Sequence, residues 1–308
     1  MQNFNKKILM MILNWNGKIA ILECLESIKN LNYNKKNLII VSIDNGSSDG
    51  SVEAIKKKYE QLRGVGFEYL EVVKLNENVG APKAYNYALS NIKYEYDYIL
   101  KLDNDVVFND RDIINKLLNK TETDKKIGII GPKIVYYDNP NQCAHAAGYI
   151  NWLWGLPYTS NEDYEGECDF VTGCCMLIKR EIIDKLGVFL DEDYFIYWDD
   201  TDLCMRAKNN GYKVYYFPAT KIVHKVSKST GLKKRSNFAI YYMMRNRVLF
   251  VKKNAPTILR KFVNIYIYLW FLRYVLPKLR KGKKGINEIK ITYKAIIDGI
   301  NNVSGKII

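Results

Sequence analysis

Short apolar runs alternate with helical stretches along the first half of the chain. Residues 8–13 are a continuous apolar run, the pattern expected of a strand that is buried on both faces, and residues 38–43 are predicted as a second buried strand. Between these runs, apolar residues from Ile19 to Ile28 recur at intervals of three or four, which predicts an amphipathic helix. Such alternation favours βαβ units and a largely parallel sheet.

The remaining elements follow from the same periodicities. Further strands are predicted at residues 67–75, 98–102, 127–130, 148–154, 169–178, 213–217 and 221–226, and further helices at residues 51–61, 81–91, 110–120, 181–186 and 201–210. Beyond Asn237 the pattern is wholly helical. We therefore expect an α/β domain over residues 1–230, followed by a helical extension over residues 231–308.

The composition indicates what kind of partner the protein binds. The 308 residues are 48% hydrophobic, enough for a large core, and 47 Lys and Arg against 33 Asp and Glu leave a net charge of +14. Such a charge favours an anionic partner: nucleotide, lipid headgroup, nucleic acid or acidic glycan. Six cysteines without a Cys-x-x-Cys pair favour reduced thiols and a cytosolic protein. We expect no spanning helix, because no segment reaches the ~20 apolar residues that one needs.

An acidic triplet follows the predicted strand at residues 98–102. Asp103 and Asp105 lie where ligands bind in open α/β sheets, beyond the carboxyl end of a strand. Two carboxylates at this spacing can both turn towards one pocket and ligate Mg²⁺ or Mn²⁺. An Asp- and Asn-rich turn with no ligand is the alternative interpretation.

A second acidic cluster begins the helix predicted at residues 201–210. Asp199, Asp200 and Asp202 follow an aromatic run at residues 194–198. The helix dipole stabilises acidic residues at a helix N-terminus, which explains the presence of one or two of these three. A carboxylate in an aromatic cleft also suits a general base, which takes the proton of a reacting hydroxyl group.

A third polar loop follows the strand predicted at residues 38–43. Its sequence, Asp44–Asn45–Gly46–Ser47–Ser48–Asp49–Gly50, is typical of a turn that leads into a helix. In a nucleotide-binding protein, Asp44 would accept hydrogen bonds from a base or a ribose.

Taken together, these motifs resemble the family 2 glycosyltransferases of the GT-A fold, and within them the rhamnosyltransferase-like branch. The matches run in the family's order: Asn14–Trp15–Asn16, the loop from Asp44 to Gly50, Asn78–Val79–Gly80 with Ala84 and Asn86, Asp103–Asn104–Asp105, Val171–Thr172–Gly173, and Asp199–Asp200–Thr201–Asp202–Leu203 with Arg206. Asp199 stands where the family has Glu, and Trp198 where it has Phe.

The resemblance implies an α/β fold with a mostly parallel sheet, a nucleotide-binding half at about residues 1–110 and an acceptor half at about residues 111–230. The donor would be a nucleotide-diphosphate sugar such as dTDP-rhamnose or a UDP-sugar, and the acceptor a glycan or lipid-linked hydroxyl in cell-surface polysaccharide synthesis. Donor contacts are implied for Asn14, Asn16, Asp44, Asn78, Gly80, Asn86, Asp103 and Arg245. Asp105, Asp103 and His224 would bind Mg²⁺ or Mn²⁺, and Asp200, supported by Asp199, would be the base of an inverting transfer.

The C-terminal extension interleaves cations with aromatic and aliphatic residues between Val251 and Lys290. This pattern suits a helix that lies in the surface of an anionic membrane, which would place the protein peripherally at the inner face of the plasma membrane. A helix packed on the catalytic domain explains it equally well. Two other functions remain as alternatives: a nucleic-acid-binding module, suggested by the basic charge, and a metal-dependent nucleotidyltransferase, which uses similar acids.

Overall fold

The computed structural model describes residues 5–225, 236–280 and 282–307, and only the backbone of residues 261, 263, 264 and 266. Its strands are β1 (Ile8–Asn14), β2 (Leu38–Asp44), β3 (Tyr69–Lys74), β4 (Tyr98–Asp103), β5 (Val106–Val107), β6 (Ile127–Tyr136), β7 (Cys143–His145), β8 (Gly148–Asn151), β9 (Leu156–Thr159), β10 (Gly166–Cys168), β11 (Cys175–Lys179) and β12 (Lys213–His224). The helices are α1 (Lys18–Lys29), α2 (Ser51–Arg63), α3 (Ala81–Asn91), α4 (Ile113–Thr123), α5 (Arg180–Leu186), α6 (Asp199–Asn209), α7 (Asn237–Asn254), α8 (Thr257–Lys261), α9 (Val263–Leu279) and α10 (Gly282–Ile300).

The first half of the sheet is parallel, in the order β3–β2–β1–β4. β1 is apolar on both faces because it packs on both: Met10 contributes to one hydrophobic cluster and Met11 to the other. α1 and α2 cover the first face, and α3 covers the second. The α/β fold is therefore confirmed, and this half of the sheet is parallel as expected.

The second half of the sheet mixes directions. β11 lies antiparallel between β4 and β6, and β12 runs parallel to β6. The two strands predicted at residues 213–217 and 221–226 are one strand, β12, whose register shifts between Phe217 and Lys221. Pro218 explains the irregularity, since proline has no N–H group to donate to a neighbouring strand.

Three strands of the sheet end in polar residues at one edge. β1 ends at Asn14, β2 at Asp44 and β4 at Asp103, and in the sheet register Asn14 lies opposite Asp44. Parallel pairing thus assembles side chains that lie thirty residues or more apart in sequence.

The C-terminal helices pack on the second half of the α/β domain. α7 contacts α6, and α10 packs along α7, where the α-carbon of Gly299 comes so close that an added Cβ atom would lie 2.7 Å from Val248. The domain boundary expected near residue 230 lies outside the described residues. Among the helices that the structure describes, none combines the length and the apolar character needed to cross a bilayer.

Candidate active site

Asp103, Asp105 and His224 meet at the polar edge of the sheet. β5 pairs with the end of β12, with Val106 opposite His224, and this pairing brings the imidazole to the acidic turn. His224 Nε2 lies 2.9 Å from Asp105 Oδ1, and one ligand atom from each of the three residues lies within 4.8 Å of the others. Residues from two distant segments therefore form one cluster.

The electrostatics of this cluster suit a divalent cation. Burial raises the pKa of Asp103 above its ordinary value, although the positive charge of Lys101 opposes the shift. Burial lowers the pKa of His224, but its hydrogen bond to Asp105 outweighs that effect and the net shift is upward. The other imidazole nitrogen, Nδ1 of His224, is buried without a hydrogen-bond partner in the described part of the chain. Two carboxylates and an imidazole are a donor set suited to Mn²⁺, so the residues fit such an ion.

Asp200 lies near Asp103 of this cluster, and the polar region around Asp103, Asp105, His224 and Asp200 is called the cleft. Its Oδ2 atom accepts a hydrogen bond of 2.7 Å from the backbone N–H group of Gly173, and its Oδ1 atom accepts one of 2.7 Å from Thr201 N. The backbone N–H group of Asp103 donates to the carbonyl of Cys174, the residue after Gly173. The charge of Asp200 also raises the pKa of Asp103, as expected for two carboxylates that share a cleft.

Asp199 and Asp202 differ sharply in their surroundings. Burial raises the pKa of Asp199 to about 7, against the opposing effect of the positive charge of Lys101. Asp202 accepts a hydrogen bond of 2.7 Å from Arg206 Nε and another of 2.8 Å from Asn254 Nδ2. These bonds direct the Asp202 carboxylate into the protein, where it joins α6 to α7.

Lys101 is a residue of the cleft that the motifs did not identify. Its ammonium group is buried, donates a hydrogen bond of 3.0 Å to the carbonyl oxygen of Gly173 and lies 4.8 Å from the centre of the Tyr85 ring. Burial lowers the pKa of Lys101, but Tyr85 and the cleft carboxylates outweigh this effect, and the net shift is upward. A lysine inside an otherwise apolar strand was the available sequence signal.

The ends of β1 and β2 form a network of hydrogen bonds. Asn14 Nδ2 donates to Asp44 Oδ2 over 3.2 Å, and Asn14 Oδ1 accepts from Asn104 Nδ2 over 2.7 Å. Asn16, with a left-handed φ of 50°, accepts a bond of 2.8 Å from the N–H group of Ser48. The expected donor residues Asn14, Asn16 and Asp44 are therefore together, beside the acidic turn that carries Asn104.

Asn78 and Gly80 shape a loop next to this network. Asn78 Oδ1 accepts bonds from Gly80 N and Asn45 Nδ2, both 3.0 Å long. Gly80 has a φ of +89°, and an added Cβ atom would lie 2.5 Å from the Phe195 ring. Glycine is thus required here both by its backbone conformation and by the close approach of Phe195.

Asn86 and Arg245, for which the resemblance implies donor contacts, do not point into the cleft. Asn86 donates to Leu190 O over 2.7 Å and accepts from Leu190 N over 3.0 Å, so its amide holds the loop before α6. Arg245 is fully buried and donates to the carbonyls of Gly305 and Asp193. Because their polar groups are used in these bonds, both residues position backbone segments in this structure.

Comparison with known proteins agrees with this geometry. The family model described as "Glycosyl transferase family 2" matches residues 10–187. An N-acetylglucosaminyl-diphospho-decaprenol L-rhamnosyltransferase of Mycobacterium tuberculosis is 24% identical over 229 residues, which cover 66% of this chain and 71% of that protein. The dTDP-rhamnosyl transferase RfbF of Shigella flexneri is 24% identical over 298 residues, 90% of this chain and 93% of the relative.

Solved structures with the same fold include two sugar-nucleotide complexes. A mannosyltransferase from Pyrobaculum calidifontis, in complex with GDP-Man and Mn²⁺, aligns with a TM-score of 0.61 at 16% identity, over 97% of this chain and 88% of its own. S. aureus TarS 1–349 in complex with UDP-GlcNAc aligns with a TM-score of 0.63 at 14% identity, over 96% and 81%. The expected GT-A fold is thereby confirmed.

Proposed function

Because this chain belongs to glycosyl transferase family 2, and is therefore a glycosyltransferase that uses a nucleotide-sugar in polysaccharide synthesis, we propose that its transfer is inverting, with Asp200 as the base. The observation that carries this proposal is the juxtaposition of Asp200 with the Asp103, Asp105 and His224 cluster in one cleft. A single displacement needs a base on the acceptor side and a charge-neutralising group on the leaving-group side, and the cleft offers both.

Asp200 is held in one orientation before any acceptor arrives. Gly173 N and Thr201 N each donate to one of its oxygens, which fixes the plane of the carboxylate. Each carboxylate oxygen has two acceptor positions, so the oxygen that faces the cleft can still accept the acceptor hydroxyl proton. Asp199, whose ionised form is stabilised by the positive charge of Lys101, would orient that hydroxyl.

Asp105, Asp103 and His224 would hold Mn²⁺ or Mg²⁺. A cation bound there neutralises negative charge on the diphosphate leaving group, a contribution of several kcal/mol in metal-assisted transfers. The network of Asn14, Asn16 and Asp44 would bind the nucleoside, since its oxygen atoms and amides line the neighbouring strand ends.

The relatives suggest the substrates. We propose a dTDP-rhamnose or UDP-sugar donor and a lipid-linked glycan acceptor, in keeping with the names of the mycobacterial and Shigella relatives. A lipid-linked acceptor would bring the protein to the inner face of the plasma membrane as a peripheral cytoplasmic protein. The six free cysteines agree with a reducing compartment.

The direct test is a screen of the purified full-length chain against nucleotide-sugars with Mn²⁺, with product analysis. Glycosyl transfer or donor hydrolysis releases a nucleoside diphosphate, whereas a nucleotidyltransferase releases pyrophosphate. We expect Asp105→Ala and Asp200→Asn each to lower turnover by at least ~100-fold, in line with the effect of losing a metal ligand or a general base. Chelation of divalent ions should abolish turnover, and added Mn²⁺ should restore it.

Asp184→Asn is the matched control, since Asp184 is an exposed carboxylate paired with Arg180 on α5. Its turnover should equal that of the parent protein. Normal turnover in Asp200→Asn would remove Asp200 from the role of base, and turnover that survives chelation would remove the metal.

A further inference from the structure

One face of the α8–α9 segment exposes a regular apolar stripe. Its exposed residues recur at intervals of three or four and are Ile258, Phe262, Ile265, Leu269, Leu272, Leu276 and Leu279. Leu269 is 56% exposed and Leu276 is 69% exposed. On the opposite side of α9, Ile267 is buried against the α7 and α10 core. The stripe is therefore a surface that the rest of the described chain does not cover.

A second exposed apolar group lies at the tip of the β8–β9 hairpin, in the acceptor half. Leu153 is 63% exposed, Trp154 is 37% exposed and Leu156 is 39% exposed. Hairpin tips are normally rich in turn-forming polar residues, so three exposed apolar side chains at one tip are unusual. β8 also contacts Phe170, next to the segment that holds Gly173 beside Asp200.

Arg247 of α7 brings the tip and α9 together. Its guanidinium donates to the carbonyls of Trp154 and Gly155 at the tip, and its charged end lies 4.2 Å from the centre of the Trp270 ring on α9. Arg247 is 4% exposed, so this junction is buried. Arg247 therefore holds the tip against α9 through side-chain contacts.

We propose that the α8–α9 stripe and the β8–β9 tip form one docking surface for an anionic lipid bilayer. Exposed cations lie on the α8–α9 segment or at its end, namely Arg260, Arg273 and Arg280, and others lie on the following helix α10, namely Lys283, Lys284 and Lys290. A helix with an apolar face and flanking cations lies in the headgroup region of a membrane, and Trp and Tyr are favoured at that depth. The surface deepens the proposed function, on which it rests, because it would hold the acceptor cleft next to a lipid-linked substrate.

The positive charge of the surface favours an anionic bilayer over a second copy of the chain as its occupant. A symmetric dimer through the stripe would bring two sets of like cations together. An anionic headgroup layer neutralises the same cations, and each cation near such a surface strengthens binding roughly five-fold.

The test is flotation of the full-length protein with vesicles of phosphatidylcholine plus phosphatidylglycerol, and with vesicles of phosphatidylcholine alone. We expect binding to the anionic vesicles that weakens as salt is raised. The double variant Leu269→Glu, Leu272→Glu and the single variant Leu153→Glu should each lower the partition constant by at least ~10-fold, since burial of one leucine is worth about that factor. Lys283→Glu with Lys284→Glu should weaken binding to anionic vesicles while leaving the fold intact, because both side chains are exposed.

Val65→Glu is the control, since Val65 is an exposed apolar residue in the loop between α2 and β3, and it should bind like the parent protein. The proposal is overturned if the parent protein stays unbound, or if the α9 variant binds normally. Normal binding by Leu153→Glu would overturn the contribution of the tip. A concentration-dependent dimer that the α9 variant dissociates, seen by light scattering, would assign the stripe to a second copy instead.

Two assays keep this surface separate from the reaction. Metal-dependent cleavage of a nucleotide-sugar in solution should be unchanged in the Leu153 and Leu269 variants, because neither residue touches the cleft. Failure of binding with normal cleavage would contradict the docking surface alone, whereas binding without any glycosyl transfer would contradict the proposed reaction.

Discussion

At the scale of single residues, one buried cation offsets part of the negative charge of the carboxylates in the cleft. Lys101 stands among the carboxylates of Asp103, Asp199 and Asp200, and the charge of each of them raises the pKa of the lysine. The same ammonium group holds the carbonyl of Gly173, whose N–H group holds Asp200. Lys101 is therefore a positioning residue: it acts on Asp200, the proposed base, through a backbone segment and through its charge.

Replacement of Lys101 by Met tests this role. Without the cation, the neighbouring carboxylates are more easily protonated, so the acid side of the pH–rate profile should move to higher pH. We expect turnover on the acid side of the profile to fall by up to about ten-fold, with recovery at higher pH, because a shift of about one pKa unit changes the ionised fraction there by that factor. The Michaelis constant should change little. Lys101→Arg, which keeps the charge, should retain the parent profile, and an unshifted profile in Lys101→Met would show that the lysine has a structural role only.

Asp199→Asn should change the way in which the free energy of unfolding depends on pH. Asp199 has a pKa of about 7 in the folded protein, above the ordinary value of 3.8, so the folded state keeps a proton that the unfolded state loses. Its contribution to the free energy of unfolding therefore falls as pH rises from about 4 to about 7. Asn removes this loss, and the variant should gain up to about 4 kcal/mol over the parent between those limits. Urea denaturation at both pH values, with chelator present, measures the difference; equal pH dependence in both proteins would contradict it.

At the scale of elements, the turn that precedes α6 is stabilised by contacts with α7, a helix that lies far from it in sequence. Tyr197 and Trp198 both have left-handed φ angles, 67° and 72°, which are unfavourable for aromatic residues. Asn246 of α7 donates to the carbonyls of Ile196 and Tyr197, and the Trp198 indole donates to Met243 O. Helix α7 thus stabilises the turn that aims Asp199 and Asp200 into the cleft.

Asn246→Ala should loosen that turn. Two carbonyl groups would lose their partner, at a cost of about 2 kcal/mol in the free energy of unfolding. Because the turn leads directly into Asp199 and Asp200, turnover should fall as well, although Asn246 does not reach the cleft. Chemical denaturation and kinetics on the same preparation test both effects, with Asn210→Ala at the end of α6 as the control. Unchanged turnover alongside lowered stability would separate α7 from the positioning of the base.

The elements themselves were largely predictable, and the reasons are local. β1, β2 and β4 are predominantly apolar runs, and α3 occupies the predicted residues 81–91, because a strand buried on both faces and an amphipathic helix have distinct periodicities. The short strands β5, β7, β9 and β10 were missed, since two to four residues carry too little periodicity. Their pairing depends on tertiary contacts such as that of β5 with β12.

For the site, proximity to strand ends was predictable and side-chain direction was not. Parallel pairing places Asn14, Asp44 and Asp103 together at the carboxyl edge of the sheet, whatever path the loops take. The orientation of Asn86 and Arg245 depends on the loop at residues 187–193 and on the segment at residues 301–307, which no local pattern encodes. A family motif marks a position that matters, without saying whether that position meets substrate or backbone.

At the scale of the whole molecule, the helical extension completes the packing of the second half of the α/β domain, the expected acceptor half. Phe250 of α7 stacks on Trp152 and lies 4.8 Å from the centre of the Trp198 ring, and Asn254 binds the buried carboxylate of Asp202. The same helices carry the cations and apolar stripe of the proposed docking surface. The two interpretations of the extension, packed helix and membrane helix, are therefore compatible, since they concern opposite sides of α9.

A chain ended at Lys225 should accordingly fail to form the native acceptor half. Loss of α7 would expose Tyr194 and Trp198, which are at most 9% exposed in the whole chain, and would leave Asp202 without Asn254. Uncovering large apolar side chains costs roughly 2 kcal/mol each, so we expect aggregation or a state without cooperative melting. Soluble yield and thermal unfolding, measured beside the full chain, test this. Cooperative melting within a few degrees of the full chain would mean that the α/β domain is autonomous.

The clamp formed by Arg245 also sets an order of events during synthesis. Its guanidinium joins the carbonyl of Asp193 to that of Gly305, and a ribosome that adds about 5–20 residues per second needs several seconds to make the stretch between them. Throughout that interval the backbone ahead of α6 is solvated by water instead of by arginine. The backbone segment ahead of Asp199 and Asp200 should therefore reach its native position only after the segment around Gly305 has been made, although the two lie far apart in sequence.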